Sequence, residues 1–399
     1  MADTSRRSFI KAAGLGVASF GIGGIANAAE KKIQGFDDKG KKTKTAEKWE
    51  PVSDRKIRVG IAGHGFCKFG QSFGFQDHPN VEVVAVTDLF PDRCAAMAKA
   101  CRCKKPYPSF EEMVKNDSIE AVFIATDAPS HARLSILALG LGKHVCTAVP
   151  ATFGSLEDGE KLFEAYKKAA GPKYMMMETS AYHNDLYAMR ELYRAGRFGK
   201  MIYSEGEYYH YCPQPLESYK GWRIGPPPQL YPTHSNAYYN AVTGGSFTEV
   251  SCMGIPSIVP HLMAKNNVYK NPFGTEIALF RTSEGGMSRM AVSWDTPGDH
   301  GEKGRVRGQK GSYYGQPQAL DTKGVNVNKP PLPPGMAAGH HGGSSGYLTN
   351  EFITSILEDR KPLVDIAMAL NMTVSGIVAH QSAMKDGELL KIPQYKYPG

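Results

Sequence analysis

The sequence lacks the cysteine pattern of a disulfide framework and of a structural zinc site. Its seven cysteines are scattered along the chain, and an odd number cannot all be paired within one molecule. Cys101 and Cys103 are too close together for a relaxed bridge, and no second Cys-x-Cys or Cys-x-x-Cys pair completes a zinc set. We therefore expect free thiols and predict no metal centre.

The sequence is also short of long apolar runs and of nucleic-acid features. Its formal charge of +8 comes largely from lysines near the N-terminus, between Lys31 and Lys48. That segment lacks the interleaved basic and aromatic residues of nucleic-acid surfaces. We interpret it as a solvated leader and linker, and we predict neither a nucleic-acid partner nor a stable membrane span. The 399 residues, 41% of them apolar, suffice for two domain cores.

The N-terminal segment has the order of an export signal. Arg6 and Arg7 precede a weakly apolar, Gly/Ala-rich run over residues 12–25, and a small-x-small motif ends at Ala28. The paired arginines resemble a twin-arginine leader. We predict a signal peptide over residues 1–28, a flexible linker over residues 29–54, and export by the Tat machinery to the periplasm or beyond. An uncleaved anchor is the alternative, but the run falls short of the roughly 20 residues that span a bilayer.

Residues 56–88 predict a nucleotide-binding unit. A β-rich run meets a glycine turn at Gly63, Gly65 and Phe66, a helix over residues 66–76 is expected, and a second strand ends at Asp88. This order presents a helix N-terminus to a dinucleotide pyrophosphate and a carboxylate to the ribose. The carboxylate would repel a 2′-phosphate, which favours NAD over NADP. Two features weaken the pattern, since Lys68 stands where a third glycine is usual and Asp88 could instead cap the next helix.

Alternating strands and helices predict a doubly wound parallel sheet, a Rossmann domain over residues 55–175. Further cofactor-binding residues are expected at the carboxyl ends of its strands, at Thr126, His131, Ala148 and Val149. Period-2 stretches after residue 200 predict a C-terminal α+β domain over residues 176–345 with an open, mainly antiparallel sheet. Helices over residues 346–399 are expected to pack back on the Rossmann domain, after a Pro- and Gly-rich loop over residues 326–346.

The order of short motifs resembles the glucose-fructose oxidoreductase, inositol dehydrogenase and MocA (Gfo/Idh/MocA) family over residues 55–395. The motifs are GxG, VTD, AT…PSHA and GKHV…P. The resemblance implies an NAD-dependent enzyme that packs a carbohydrate against the nicotinamide. It also implies a lysine after the GKHV strand in simple dehydrogenases, whereas this chain has Val149 there.

Trp222-Arg223 followed by Tyr231-Pro232-Thr233-His234 is similar to glycoside hydrolase family 109 within that group. That subgroup is similar in having valine at the lysine position, and it hydrolyses glycosides by a redox cycle with tightly held NAD+. The resemblance implies candidates for acid/base groups and for sugar contacts, with His341 suggested by a His-Gly-Gly motif. The acid/base candidates are Tyr182 and His234, and the contact candidates are Tyr208, Tyr209, Arg223, Tyr231 and His341.

Chemistry favours His234 among these candidates, because an imidazole titrates near neutral pH and can accept a proton in place of the missing lysine. Three functions remain open. The first is an exported NAD(H)-dependent oxidoreductase acting on a sugar, polyol or glycoside by hydride transfer. The second is a glycosidase with retained NAD+, and the third is a non-catalytic carbohydrate- or cofactor-binding protein. We further expect a homo-oligomer formed through the C-terminal sheet.

Overall fold

The computed structural model describes residues 48–65 and 67–398. The expected signal peptide, most of the expected linker and the candidate cofactor contact Phe66 lie outside the described residues. Among the helices that are described, none is long and apolar enough to cross a membrane. All seven cysteine thiols are free, as expected from their spacing.

Two sheets organise the chain. Every neighbouring pair in the first sheet is parallel, with the strand order β3-β2-β1-β4-β5-β6. The order reverses direction between β1 and β4, which is where open α/β sheets bind ligands. The strands of the first sheet are β1 (Ile57–Ala62), β2 (Val81–Thr87), β3 (Pro106–Tyr107), β4 (Ala121–Ile124), β5 (His144–Thr147) and β6 (Tyr174–Met176).

The second sheet has the order β13-β12-β11-β7-β10-β9-β8-β14 and is antiparallel except for the pair β7 and β10. Together the sheets confirm the predicted fold class, a parallel Rossmann sheet followed by a mainly antiparallel one. The strands are β7 (Met201–Tyr209), β8 (Phe247–Pro256), β9 (Phe273–Thr282), β10 (Met287–Ser293), β11 (Gly301–Gly308), β12 (Ser312–Tyr313), β13 (Pro317–Gln318) and β14 (Leu390–Lys391).

Helices connect and cover these sheets. Several begin at a residue whose side chain caps the helix, such as Ser155, whose hydroxyl accepts the Asp158 N–H. The α-helices are α1 (Phe69–Ser72), α2 (Pro91–Ala100), α3 (Phe110–Val114), α4 (His131–Gly140), α5 (Leu156–Ala169), α6 (Asn184–Arg194), α7 (Thr233–Thr243), α8 (Ser345–Leu357) and α9 (Ile366–Ala383). Single 3₁₀ turns cover Phe75–Asp77, Ala128–Ser130, Thr179–Tyr182, Tyr219–Gly221, Pro228–Leu230 and Pro260–Leu262.

The first helix differs from the one predicted over residues 66–76. Lys68 adopts a left-handed conformation with φ 53°, so α1 begins only at Phe69 and spans one turn. Gly70 makes the close contact usually assigned to the third glycine of the motif. A Cβ there would lie 2.5 Å from the Gly63 carbonyl oxygen and 3.2 Å from the Ile61 side chain. The glycine that permits close helix-to-strand packing is thus displaced to position 70.

The C-terminal elements join both halves. Helix α8 packs on the first sheet, where Leu348 and Phe352 share an apolar cluster with β1. Helix α9 is buried along nearly its whole length and contacts α5, α7 and β8. Strand β14 pairs with β8 at the edge of the second sheet. Besides the expected packing of residues 346–399 on the Rossmann domain, α9 thus also packs on the second half, since an apolar helix must be covered on all sides.

Candidate functional site

A cavity of about 500 Å³ lies at the carboxyl ends of β1, β2 and β4. Gly63 and Gly65 follow β1, Asp88 follows β2 and Thr126 follows β4, and all four line the cavity. Residues 217–220, Trp222 and Arg223 of the second half also line it. The sequence pattern thus brings four of its candidate cofactor residues to one place.

The Asp88 carboxylate is fixed by backbone groups. Its Oδ2 accepts the N–H of His64 at 2.7 Å, and its Oδ1 accepts the N–H of Phe90 at 2.9 Å. The first bond ties the acid to the glycine turn. Phe90 itself occupies the N-cap position of α2, so Asp88 does not serve as that cap. A carboxylate oxygen has more than one acceptor site, and both remain able to accept a ribose hydroxyl.

The glycine turn fits a dinucleotide. Gly65 has φ 59°, and a Cβ at this position would meet no atom within 4 Å, so its backbone borders open space. Gly63 has φ 92°, and a Cβ there would lie 2.4 Å from the Ala125 carbonyl oxygen. An approachable backbone beside a fixed carboxylate is the arrangement that holds pyrophosphate and ribose.

A second cavity, of about 260 Å³, adjoins the first. The two cavities share Cys67, Phe69, Trp222 and Arg223 in their walls. Aromatic rings dominate the second cavity, and the Arg223 guanidinium lies 4.1 Å from the Trp222 ring. The second cavity is also lined by Val149, Thr179, Tyr208, Tyr231, His234, Trp294, Glu302 and His341.

Two glycines position His234 in this cavity. Gly206 on β7 pairs with Gly304 on β11, and α7 lies across them. A Cβ on Gly206 would lie 2.0 Å from the Ser235 carbonyl oxygen, and one on Gly304 would lie 2.1 Å from the Tyr238 ring. Only glycine permits so close an approach of helix to sheet. The N-terminal turn of α7 is therefore held against the strands, which places His234 beside Tyr208.

His234 is paired with buried acids. Its Nδ1 lies 2.8 Å from an oxygen of Glu178, which follows β6, and 3.6 Å from an oxygen of Glu302 on β11. Glu178 is fully buried, and the side chain of Glu302 is only 6% exposed. Glu302 also accepts the Ser180 hydroxyl at 2.7 Å and lies 3.1 Å from His183 Nε2.

This environment reverses the usual effect of burial on a histidine. Burial by itself lowers the pKa of His234, but the charges of Glu178 and Glu302 outweigh it and raise that pKa to about 9. Burial likewise would raise the pKa of Glu302, yet His234, His341 and His183 hold it well below its ordinary value. The free enzyme thus favours a positive charge next to these two carboxylates.

The tyrosines of the cavity are poor bases. Burial raises the pKa of Tyr231 to about 12 even though Arg223 opposes the change. Burial also raises the pKa of Tyr208 well above its ordinary value. Both phenols therefore stay protonated near neutral pH, where they can donate hydrogen bonds to a ligand.

Three candidate residues lie away from the positions expected for them. Tyr182 does not line either cavity; its ring stacks on Tyr347 at 5.5 Å within the apolar cluster beneath β1. Tyr209 alternates with Tyr208 along β7, so it faces the opposite side of the sheet. His131 is buried and hydrogen-bonds through Nδ1 to the Pro150 carbonyl at 2.8 Å.

His131 therefore acts as a positioning residue, because it fastens the turn after β4 to the turn after β5. Ala148 and Val149 on that second turn line the second cavity rather than the first. Thr126, the remaining candidate of this group, lies 2.8 Å from the Ser130 hydroxyl.

Sequence reasoning missed Glu178 and Glu302. Glu178 ends the run KYMMME at residues 173–178, and Glu302 lies on a strand with no motif around it. A buried acid directly after an apolar parallel strand was the available signal for Glu178. The partnership with Glu302 depends on the pairing of β11 with β7, which places Glu302 opposite Tyr208 on the same face.

Comparison with known proteins agrees with this architecture. A family model described as "Oxidoreductase family, NAD-binding Rossmann fold" matches residues 57–176. Among sequence relatives, an "Alpha-N-acetylgalactosaminidase" of Shewanella oneidensis is 25% identical over 80% of this chain and 75% of its own. A "Glycosyl hydrolase family 109 protein" of Solibacter usitatus is 24% identical over 99% of this chain and 98% of its own.

Solved structures share the fold. The apo scyllo-inositol dehydrogenase of Lactobacillus casei superposes with a TM-score of 0.67 at 16% identity, covering 85% of this chain and 99% of its own. A levoglucosan dehydrogenase in complex with NADH and levoglucosan gives the same TM-score and identity, covering 85% of this chain and 100% of its own.

We expect Asp88→Ser to change nucleotide preference. The variant loses the acceptor for the ribose hydroxyls and the charge that repels a 2′-phosphate, so the ratio of the dissociation constants for NADPH and NADH should fall by about 10-fold. Fluorescence titration with each nucleotide measures it. Asp92→Ser is the matched control, since Asp92 is exposed on α2 and lines neither cavity. An unchanged ratio of dissociation constants in Asp88→Ser would refute the assignment of Asp88 as the residue that binds the ribose.

Proposed function

We propose that this chain, which belongs to the Gfo/Idh/MocA oxidoreductase family, is an NAD(H)-dependent oxidoreductase acting on a carbohydrate bound in the second cavity. The observation that carries the proposal is the shared wall of the two cavities. Cys67, Phe69, Trp222 and Arg223 border both, so a ligand in the second cavity lies next to the end of a nucleotide in the first. Hydride transfer requires that adjacency.

The lining of the second cavity suits a sugar or polyol. The faces of Tyr208, Tyr231 and Trp294 can pack against C–H groups, and polar side chains in the same lining can fix the orientation of a ligand. Arg223 presents a planar set of donors for hydroxyl groups. The protonated Tyr231 adds a further donor.

Oxidation of a hydroxyl-bearing carbon needs a hydride acceptor and a destination for the hydroxyl proton. NAD+, held by Gly63, Gly65 and Asp88, supplies the first when it is bound. His234 supplies the second: its neutral form, which becomes populated as the pH rises toward its pKa of about 9, accepts the proton, with Glu302 beside it in the cavity wall and the buried Glu178 next to both. Aromatic side chains around these three residues exclude water and strengthen their electrostatic effect.

A glycosidase with retained NAD+ is a second candidate, and one observation favours it. Val149 lines the second cavity at the position where simple dehydrogenases of the family carry lysine. The sequence relatives named as a glycosidase and as family 109 proteins support the same alternative. Export would also separate the protein from the cytosolic NAD pool, which favours a cofactor that is loaded once and kept.

One experiment tests the function and separates the two candidates. Desalted protein is incubated with sugars and polyols plus NAD+, and with nitrophenyl glycosides without added NAD+. Absorbance of NADH indicates net oxidation, and nitrophenol release without NADH indicates hydrolysis.

His234→Asn should lower kcat by about 100-fold or more in whichever assay is active. His261→Asn, a histidine outside both cavities, is the control, and equal kcat in His234→Asn and wild type would disprove the role of His234.

We propose export by the twin-arginine route on the basis of Arg6 and Arg7 and the small-x-small motif ending at Ala28. Replacing both arginines by lysine keeps the charge and removes the paired guanidinium groups. The variant should accumulate in the cytoplasmic fraction, whereas wild type is recovered from the periplasm. Equal distribution of the two proteins after cell fractionation would contradict this localisation.

We propose a homo-oligomer that assembles on the outer face of the second sheet. Met253, Ile255, Leu279 and Met287 lie on that face on neighbouring strands, and each is 43% exposed or more. Exposed apolar side chains clustered on one face are typical of protein interfaces.

Leu279→Glu should shift the protein toward monomer in size-exclusion chromatography with light scattering, because the new charge would be buried in the interface. Leu141→Glu is the matched control, since Leu141 is a comparably exposed leucine in the first half of the chain. A wild-type protein that is monomeric at micromolar concentration, or an oligomer unaffected by Leu279→Glu, would contradict the proposed interface.

A further inference from the structure

We propose that Glu178, His234 and Glu302 form a binding site for a divalent transition-metal cation, coordinated by the imidazole Nδ1 and one oxygen of each carboxylate. These three ligand atoms all lie within 4.8 Å of one another. The three residues come from different parts of the chain, and no spacing in the sequence links them. The site lies in the cavity of the proposed function and the inference rests on that function in part, but binding of a cation can be measured without turnover, so the two can fail separately.

The first support is an unsatisfied oxygen. One oxygen of Glu178 accepts the Ser180 N–H at 2.9 Å and lies 2.8 Å from His234 Nδ1. The other oxygen of the same carboxylate is buried and has no hydrogen-bond partner among the described residues. A buried carboxylate oxygen without a partner is costly, because its lost hydration is not replaced. A cation bound to this carboxylate would compensate for that loss.

The second support is the balance of charge. The carboxylates of Glu178 and Glu302 both face the imidazole of His234, which can carry at most one positive charge. The other basic groups that approach Glu302 are also imidazoles, His183 Nε2 at 3.1 Å and His341 Nδ1 at 3.8 Å. Buried acids in proteins are usually paired with cationic side chains or bound to metals. A divalent ion would neutralise the pair and leave the imidazoles free to act as nitrogen donors.

The donor set indicates the class of metal. Calcium and magnesium prefer sites made wholly of oxygen atoms, whereas a site with imidazole and carboxylates suits manganese, iron or zinc in the divalent state. Three protein ligands also leave coordination positions open, as catalytic metal sites do. His234 and Glu302 line the second cavity, so those positions would face its interior.

An open metal site would explain how the cavity works without a lysine. A Lewis acid lowers the pKa of a bound hydroxyl and stabilises the oxyanion that forms when its proton leaves. Val149 contributes neither charge nor hydrogen bond to the cavity. A cation held by Glu178, His234 and Glu302 would provide positive charge in the same cavity.

Binding of Mn2+ and Co2+ to chelator-treated, desalted full-length protein tests the site. We expect about one ion per chain, seen as loss of the free Mn2+ signal in electron paramagnetic resonance and as visible Co2+ absorption bands of a site with nitrogen and oxygen ligands. Glu178→Gln and Glu302→Gln should each weaken Mn2+ binding by at least about 10-fold. Thermal melting of each variant shows whether it is folded.

Glu276→Gln is the matched control. Glu276 is equally buried and lies 2.7 Å from His380 Nδ1, but no third ligand approaches it among the described residues. The Glu276→Gln variant should bind Mn2+ as tightly as the wild-type protein does. Wild-type protein that binds neither ion up to millimolar concentration, or binding that persists unchanged in both folded site variants, would overturn the proposal. Metal binding without any oxidation or hydrolysis would instead refute the proposed function and leave the site in place.

Discussion

The close contact of α7 with β7 and β11 is the constraint on which the site depends. Gly206 and Gly304 have no side chains, so the Ser235 backbone and the Tyr238 ring of the helix approach the strands to distances that a Cβ would prevent. That contact places His234 at the cavity floor and Glu302 next to it. A larger residue at either glycine would lift the helix and separate the imidazole from the carboxylate.

Electrostatics in the cavity follow from that packing. Glu178 reaches the same point from the end of β6, so two acids from opposite halves of the chain converge on one imidazole. The resulting attraction for positive charge acts in the cavity that Val149 also lines. Hydride transfer and cation binding both depend on stabilised charge in a cavity shielded from water, so the same packing supports both.

The nucleotide half shows how local sequence rules operate and where they need tertiary information. Gly63, Gly65 and Asp88 could be assigned because strand, turn and strand follow one another closely along the chain. The exact start of α1 could not, since the left-handed Lys68 and the contact at Gly70 are settled by packing against β1. Tyr182 was misplaced for a similar reason: its environment is created by Tyr347, far along the chain.

The sequence by itself determined the fold class, the use of NAD and the candidate status of Arg223, Tyr231 and His234, because these rest on short-range periodicity and on compact motifs. Only the tertiary structure decided which tyrosine of the pair 208 and 209 faces the cavity, that His131 fastens two turns, and that Glu178 and Glu302 meet at His234. Those facts depend on strand register and on contacts between residues 19 or more positions apart, which a linear pattern does not encode.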